Sequence, residues 1–174
     1  MFRIKTWSMS ALAVTLLAVT CFAEEATPPK FYKLDFVVKE VEGGKVLNAR
    51  AYSMTTSDKE KINDHSEIRT GSKVPYSTNA NGSQYTFLDV GVSFDCYHIV
   101  ENRDTMSLVL VADISSVVEE PASPSAPMHP PVVRQNKWAS GVVVPLKKPT
   151  VVFSSDDLTT KRQMQVELTA TPIL

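Results

Sequence analysis

The feature that most constrains this chain is a two-residue hydrophobic period that recurs from residue 31 to the end. In the last segment, Met164, Val166, Leu168 and Ala170 alternate with Gln163, Gln165, Glu167 and Thr169. Successive side chains of a strand leave on opposite faces, so this is a half-buried strand with one wet face. The same alternation sets Leu34, Phe36 and Val38 against Lys33, Asp35 and Lys39, and runs through Leu108, Leu110, Ala112 and Ile114. Strands are expected from Phe31 onward and over 46–56, 67–74, 85–100, 106–117, 132–144, 150–153 and 161–173, with no helical period to compete beyond the N-terminal leader. About eight strands in succession make the expected fold all-β: a single-domain antiparallel β-sandwich or open barrel over 31–174.

Turn chemistry separates these runs. Glu42-Gly43-Gly44-Lys45 reads as a tight hairpin, since paired glycines accept the positive φ such a turn requires. Pro75 is expected to end the third strand. Within 85–100 the apolar phase changes from Tyr85 and Phe87 to Val90, Val92, Phe94 and Cys96, and a bulge near Asp89 would reconcile the two, with Gly91 compatible. Residues 119–131 hold five prolines in thirteen positions, which excludes a ladder or a helix and marks an exposed loop inserted within the domain.

The N-terminus carries an address. Arg3 and Lys5 precede a short apolar run over 11–19, too short to span a bilayer, and Cys21-Phe22-Ala23 offers small residues at a cleavage site. A signal peptide over 1–23 is expected, followed by a disordered lead over 24–30, and cleavage after Ala23 leaves 151 of the 174 residues. Acylation at Cys21 is the competing reading, but Thr20 is a poor residue before a lipidated cysteine. The whole chain has 18 basic and 19 acidic residues; without Arg3 and Lys5 the balance is 16 against 19. Such a balance argues against a nucleic-acid partner. No other apolar stretch is long enough for a transmembrane helix. With Cys21 removed, Cys96 is the sole thiol and an internal disulfide is excluded.

Residues that carry chemistry are sparse. Cys96 and His98 share a strand parity, which would place a thiol and an imidazole about 7 Å apart on one face and allow a thiol enzyme; the plainer reading makes Cys96 a small core residue. His65 lies in a polar loop and His129 in the proline tract, at no metal-ligand spacing. Asp156-Asp157 and Glu119-Glu120 read as solvated charge. Arg134 and Trp138 are the candidate interaction pair, an aromatic and a guanidinium on one polar strand. With no nucleophile elbow, phosphate loop or dinucleotide fingerprint, the expectation is a protein that is not an enzyme and uses neither cofactor nor metal.

One constellation does point to a family. Gly71, Val74 and Pro75 form a Gly-x-x-Val-Pro segment, and Asp89, Val90 and Gly91 follow as Asp-Val-Gly. This resembles the C-terminal homology domain of the secretins, the outer-membrane family of bacterial type II and III secretion and type IV pili. Three further segments are similar in order: Ser107 to Ser115, Pro131 to Pro145 with Arg134, and Lys148 to Phe153. The chain departs from the family pattern at Ser154-Ser155-Asp156-Asp157-Leu158, where secretins carry Gly-Gly-Leu, and it has only about 44 residues between Ala23 and Ile68, where the family has ring-forming modules. The resemblance implies an exported periplasmic or outer-membrane-associated protein acting in binding or assembly. It would be accessory to secretion or pilus machinery, with envelope, secretion or pilus proteins or further copies of itself as partners. The alternative it implies is a subunit of the channel itself.

Overall fold

A computed structural model describes residues 28–58, 65–77, 84–118, 131–158 and 160–173. The expected leader (1–23), most of the lead (24–30) and most of the proline tract (119–131) lie outside these residues.

Eight strands form two four-stranded antiparallel sheets: β1 (Phe31–Glu42), β2 (Lys45–Ser57), β3 (Ser66–Ser77), β4 (Tyr85–Asn102), β5 (Thr105–Val117), β6 (Val133–Pro145), β7 (Thr150–Asp156) and β8 (Arg162–Ile173). One sheet has the order β2-β1-β8-β7, the other β3-β4-β5-β6. The expected strands are all present. The expected hairpin is too: Glu42 pairs with Lys45, and Gly43 and Gly44 both have positive φ, 56° and 80°.

The inner faces make one core. Tyr32, Leu34 and Phe36 from β1 and Val166, Leu168 and Ala170 from β8 meet Phe94 and Cys96 from β4 and Met106, Leu108 and Leu110 from β5. At its centre Phe36 and Phe94 stack with centroids 4.4 Å apart, and Tyr52 meets Phe94 edge-on at 6.1 Å. The sheets also touch along two seams. Ser66 Oγ donates to the carbonyl of Thr55 at 3.3 Å, joining β3 to β2, and Lys147 N donates to Ala170 O at 2.8 Å, joining the end of β6 to β8. The result is a sandwich with the seams of a flattened, incompletely closed barrel.

Three local expectations change. β3 does not end at Pro75 but runs through it to Ser77. Proline is tolerated because β3 is an edge strand, with β4 on one side only, so an N–H on its open side has no ladder partner to lose. The bulge is not at Asp89, since β3 and β4 stay in unbroken register from Tyr85 to Cys96. Tyr85 and Phe87 simply point outward, 61% and 60% exposed. The irregularity lies between Tyr97 and Val100, where His98 and Ile99 oppose the single residue Leu108, and His98 takes a φ of 52°. The extra residue flips the alternation, so Ile99 is buried and His98 is exposed.

At the end of the sandwich where β1 begins, the Tyr32 hydroxyl, on a fully buried ring, donates to Glu101 at 2.6 Å, and Lys30 Nζ donates to the same oxygen at 2.5 Å. The Lys30 bond, then the Tyr32 bond, hold the Glu101 carboxyl below its ordinary value of 4.5. A folded-state pKa depressed below the unfolded one gives stability that is present above pH 4.5 and lost as pH falls through the folded value. Thermal melts between pH 2 and 7 are therefore expected to fall on acidification in the native chain, with a shallower fall in Glu101→Gln; equal slopes would remove Glu101 from the acid sensitivity.

Candidate interaction surface at the splayed end

Gly71 and Gly91 are direct cross-strand partners on β3 and β4, and neither position has room for a side chain. A Cβ on Gly91 would lie 2.1 Å from the Thr70 carbonyl oxygen and 2.5 Å from Gly71 Cα; one on Gly71 would lie 2.6 Å from the Val90 carbonyl oxygen. Two glycines facing each other let the backbones close to a distance no other residue pair permits.

Just here β5 leaves β4. Their register begins at Val92 opposite Ile114, while β5 stays with β6 as far as Val117 opposite Val133. The Gly91 N–H, which the departing strand no longer meets with a carbonyl, donates instead to the Ser115 hydroxyl at 3.0 Å. Beyond this point Tyr85–Val90 has β3 on one side and, among the described residues, no strand on the other, and there β3 and β4 continue as a two-stranded ribbon.

Both faces of the ribbon carry apolar side chains. Tyr85, Phe87 and Pro75 share the outer face, with Pro75 opposite Phe87; Tyr76, Val74, Leu88 and Val90 share the inner one. Its one ion pair, Lys73 to Asp89 at 2.8 Å, is exposed on both sides and contributes little. The six residues Gly71, Val74, Pro75, Asp89, Val90 and Gly91 thus fall into one structure. Gly71 and Gly91 lie at its base, Val74, Pro75 and Val90 lie along it, and Asp89 faces Lys73.

Beside the ribbon the two sheets splay around an open cleft of about 1400 Å³. Its inner walls turn from Val38, Tyr52, Val92, Ile114 and Met164 to a polar rim at Glu40, Arg50, Arg134, Asp157 and Arg162. Arg134 is ion-paired with Asp157 at 2.5 Å, and Arg162 bonds Glu40 at 3.1 Å, which holds the Arg162 guanidinium above its ordinary pKa. Rim charges are therefore largely matched in place.

The other singled-out residues take structural positions. Trp138 lies partly buried against the core and stacks on Phe153 at 3.8 Å, joining β6 to β7 across the sheets. Its Nε1 is buried with no acceptor among the described residues. Arg134 sits four residues away on the cleft rim. The Cys96–His98 pair does not form, because Cys96 is fully buried in the core while the bulge turns His98 to solvent. Among the described residues no helix is long and apolar enough to cross a membrane. Neither the projection of the ribbon nor the departure of β5 had a signal in the sequence beyond the two glycines.

No protein-family model matches the chain, and no curated protein matches it. Solved structures do resemble it, among them secretins. The Pseudomonas aeruginosa type II secretion secretin XcpQ is 12% identical at a TM-score of 0.43, covering 83% of this chain and 57% of that one. The Salmonella type III injectisome secretin InvG is 8% identical at 0.46, covering 84% and 64%. The Vibrio cholerae competence-pilus secretin PilQ is 9% identical at 0.46, covering 84% and 58%. The chain spans less than two thirds of each of these, and a likeness this remote carries no argument about activity.

Proposed function

We propose that this chain is a non-enzymatic assembly module of the bacterial envelope, exported by cleavage after Ala23, and that it works by presenting the β3–β4 ribbon to a partner of secretion or pilus machinery. The observation that carries the reading is the ribbon itself: six residues of β4 with one edge unpaired among the described residues, bearing Tyr85 and Phe87 in water. An unpaired edge flanked by apolar side chains is a surface made for another chain. The Gly-x-x-Val-Pro and Asp-Val-Gly segments that resemble secretins supply the two strands of this ribbon, and the same motif supports an envelope address.

A double variant, Tyr85→Ser with Phe87→Ser, tests this. Because both side chains are exposed, its melting temperature is expected to stay within a few degrees of the parent, while its recovery in cross-linked envelope complexes falls several-fold. Complexes recovered at the parental level would contradict the reading. The second reading, a subunit of an outer-membrane channel, is favoured by the apolar side chains that the ribbon carries on both faces. It requires that the double variant, unlike the parent, be released from membranes without detergent.

A further inference from the structure

Away from the ribbon, the outer face shared by β3 and β4 holds a compact set of potential ligand atoms that includes one of the scattered histidines. His65 immediately precedes β3, and its ring reaches Oδ1 of Asp95 on β4; Glu67, two residues on, contacts the same ring and lies directly opposite Asp95 in the ladder. The His65 ring is stacked on Tyr97 at 4.9 Å. This fixes the imidazole so that Nε2 lies 3.2 Å from Glu67 Oε2 and 3.5 Å from Asp95 Oδ1. One ligand atom from each residue lies within 4.8 Å of the other two. Around a zinc ion with bonds of about 2.0–2.2 Å, neighbouring tetrahedral ligands are about 3.4 Å apart, so both measured separations match an edge of that polyhedron.

The charge at this point is unbalanced. Asp95 is 8% exposed, and a carboxylate so far removed from water needs a cation. Arg69 supplies one: its Nη2 is 2.5 Å from Asp95 Oδ1 and 3.2 Å from Glu67 Oε2. One guanidinium against two carboxylates leaves a negative charge beside the imidazole. Arg69 is about half exposed, and its remaining bonds are to the carbonyls of Ile68 and Phe94, so it can turn into solvent only when an incoming cation takes over the charge of Asp95.

We propose that His65, Glu67 and Asp95 form a binding site for a borderline divalent transition metal such as Zn²⁺, entered by displacing the Arg69 guanidinium. One imidazole nitrogen and two carboxylate oxygens suit Zn²⁺, whereas Mg²⁺ and Ca²⁺ call for all-oxygen shells. A bound ion would tie the β2–β3 crossover, which His65 ends, to β4.

Titration of the full mature chain with ZnCl₂ tests the site, read by calorimetry and by the shift in melting temperature. Expected are saturable one-to-one binding, no shift with MgCl₂, and a loss in affinity of at least about tenfold in His65→Ala. That variant removes an exposed ring and leaves the Asp95–Arg69 pair, and with it the fold, intact. Arg69→Gln is expected to bind several-fold more tightly than the parent, because the competitor is gone. Absence of saturable binding, or His65→Ala binding as tightly as the parent, would overturn the site; unchanged affinity in Arg69→Gln would overturn the displacement.

Discussion

Gly91→Val is expected to destabilise the domain by about 3 kcal/mol or more, close to the loss of the folded state for a single domain of ordinary stability. The reason is geometric. The new Cβ would enter the Thr70 carbonyl at 2.1 Å and the Gly71 Cα at 2.5 Å, both of them backbone, so no side-chain rotation relieves the overlap. β3 and β4 would have to part at the point where β5 has already left, so the ribbon would lose its attachment to the sheet. Gly141→Ala is the control: nothing lies within 4 Å of its Cβ position, and its effect is expected within about 0.5 kcal/mol. Urea unfolding followed by circular dichroism separates the two. A Gly91→Val chain as stable as Gly141→Ala would mean that the two backbones do not approach as described.

Phe94→Ala is expected to cost about 3–5 kcal/mol. Phe94 is fully buried, stacked on Phe36 and met edge-on by Tyr52, so its loss opens a cavity between the sheets and removes two aromatic contacts. Phe87→Ala, seven residues away on the same strand, should change stability by less than about 0.5 kcal/mol because the ring is already in water. The contrast is read in the same unfolding experiment. Equal effects would place the two rings in equivalent environments and contradict the assignment of inner and outer faces.

These two phenylalanines also show what the sequence could reveal. Phe94 sits in the run Val92-x-Phe94-x-Cys96, whose period alone predicts burial on one face of a strand, and all three are buried. Strand periodicity is a local property, so the eight strands and their inward residues were legible. Phe87 has the same chemistry and β propensity, but its exposure depends on where β5 stops covering β4. That is decided by Ser115 and the glycine pair, residues 24 and 20 positions from Gly91 in the chain. The phase change near Asp89 suggested a bulge because outward aromatics were not expected; no bulge is there, and the real one, at His98 and Ile99, rests on a positive φ in a histidine that no local pattern announces. His65 looked like a loop residue because the third strand was expected from 67. With β3 beginning at Ser66, Glu67 faces Asp95 across the ladder and His65 contacts both, so register between strands, not spacing along one strand, assembles that cluster. The motif glycines were singled out by resemblance, and only the fold shows that they face each other.

The most direct test of an assembly role for the ribbon is site-specific photo-cross-linking in intact envelopes of the native host. A photoreactive residue is placed at Phe87 on the ribbon in one variant and at Lys137, exposed on β6, in another. The account expects a strong, discrete adduct from position 87 and only background from position 137. Adducts of equal intensity at both positions, or none at 87 when the protein is present in the envelope fraction, would contradict it.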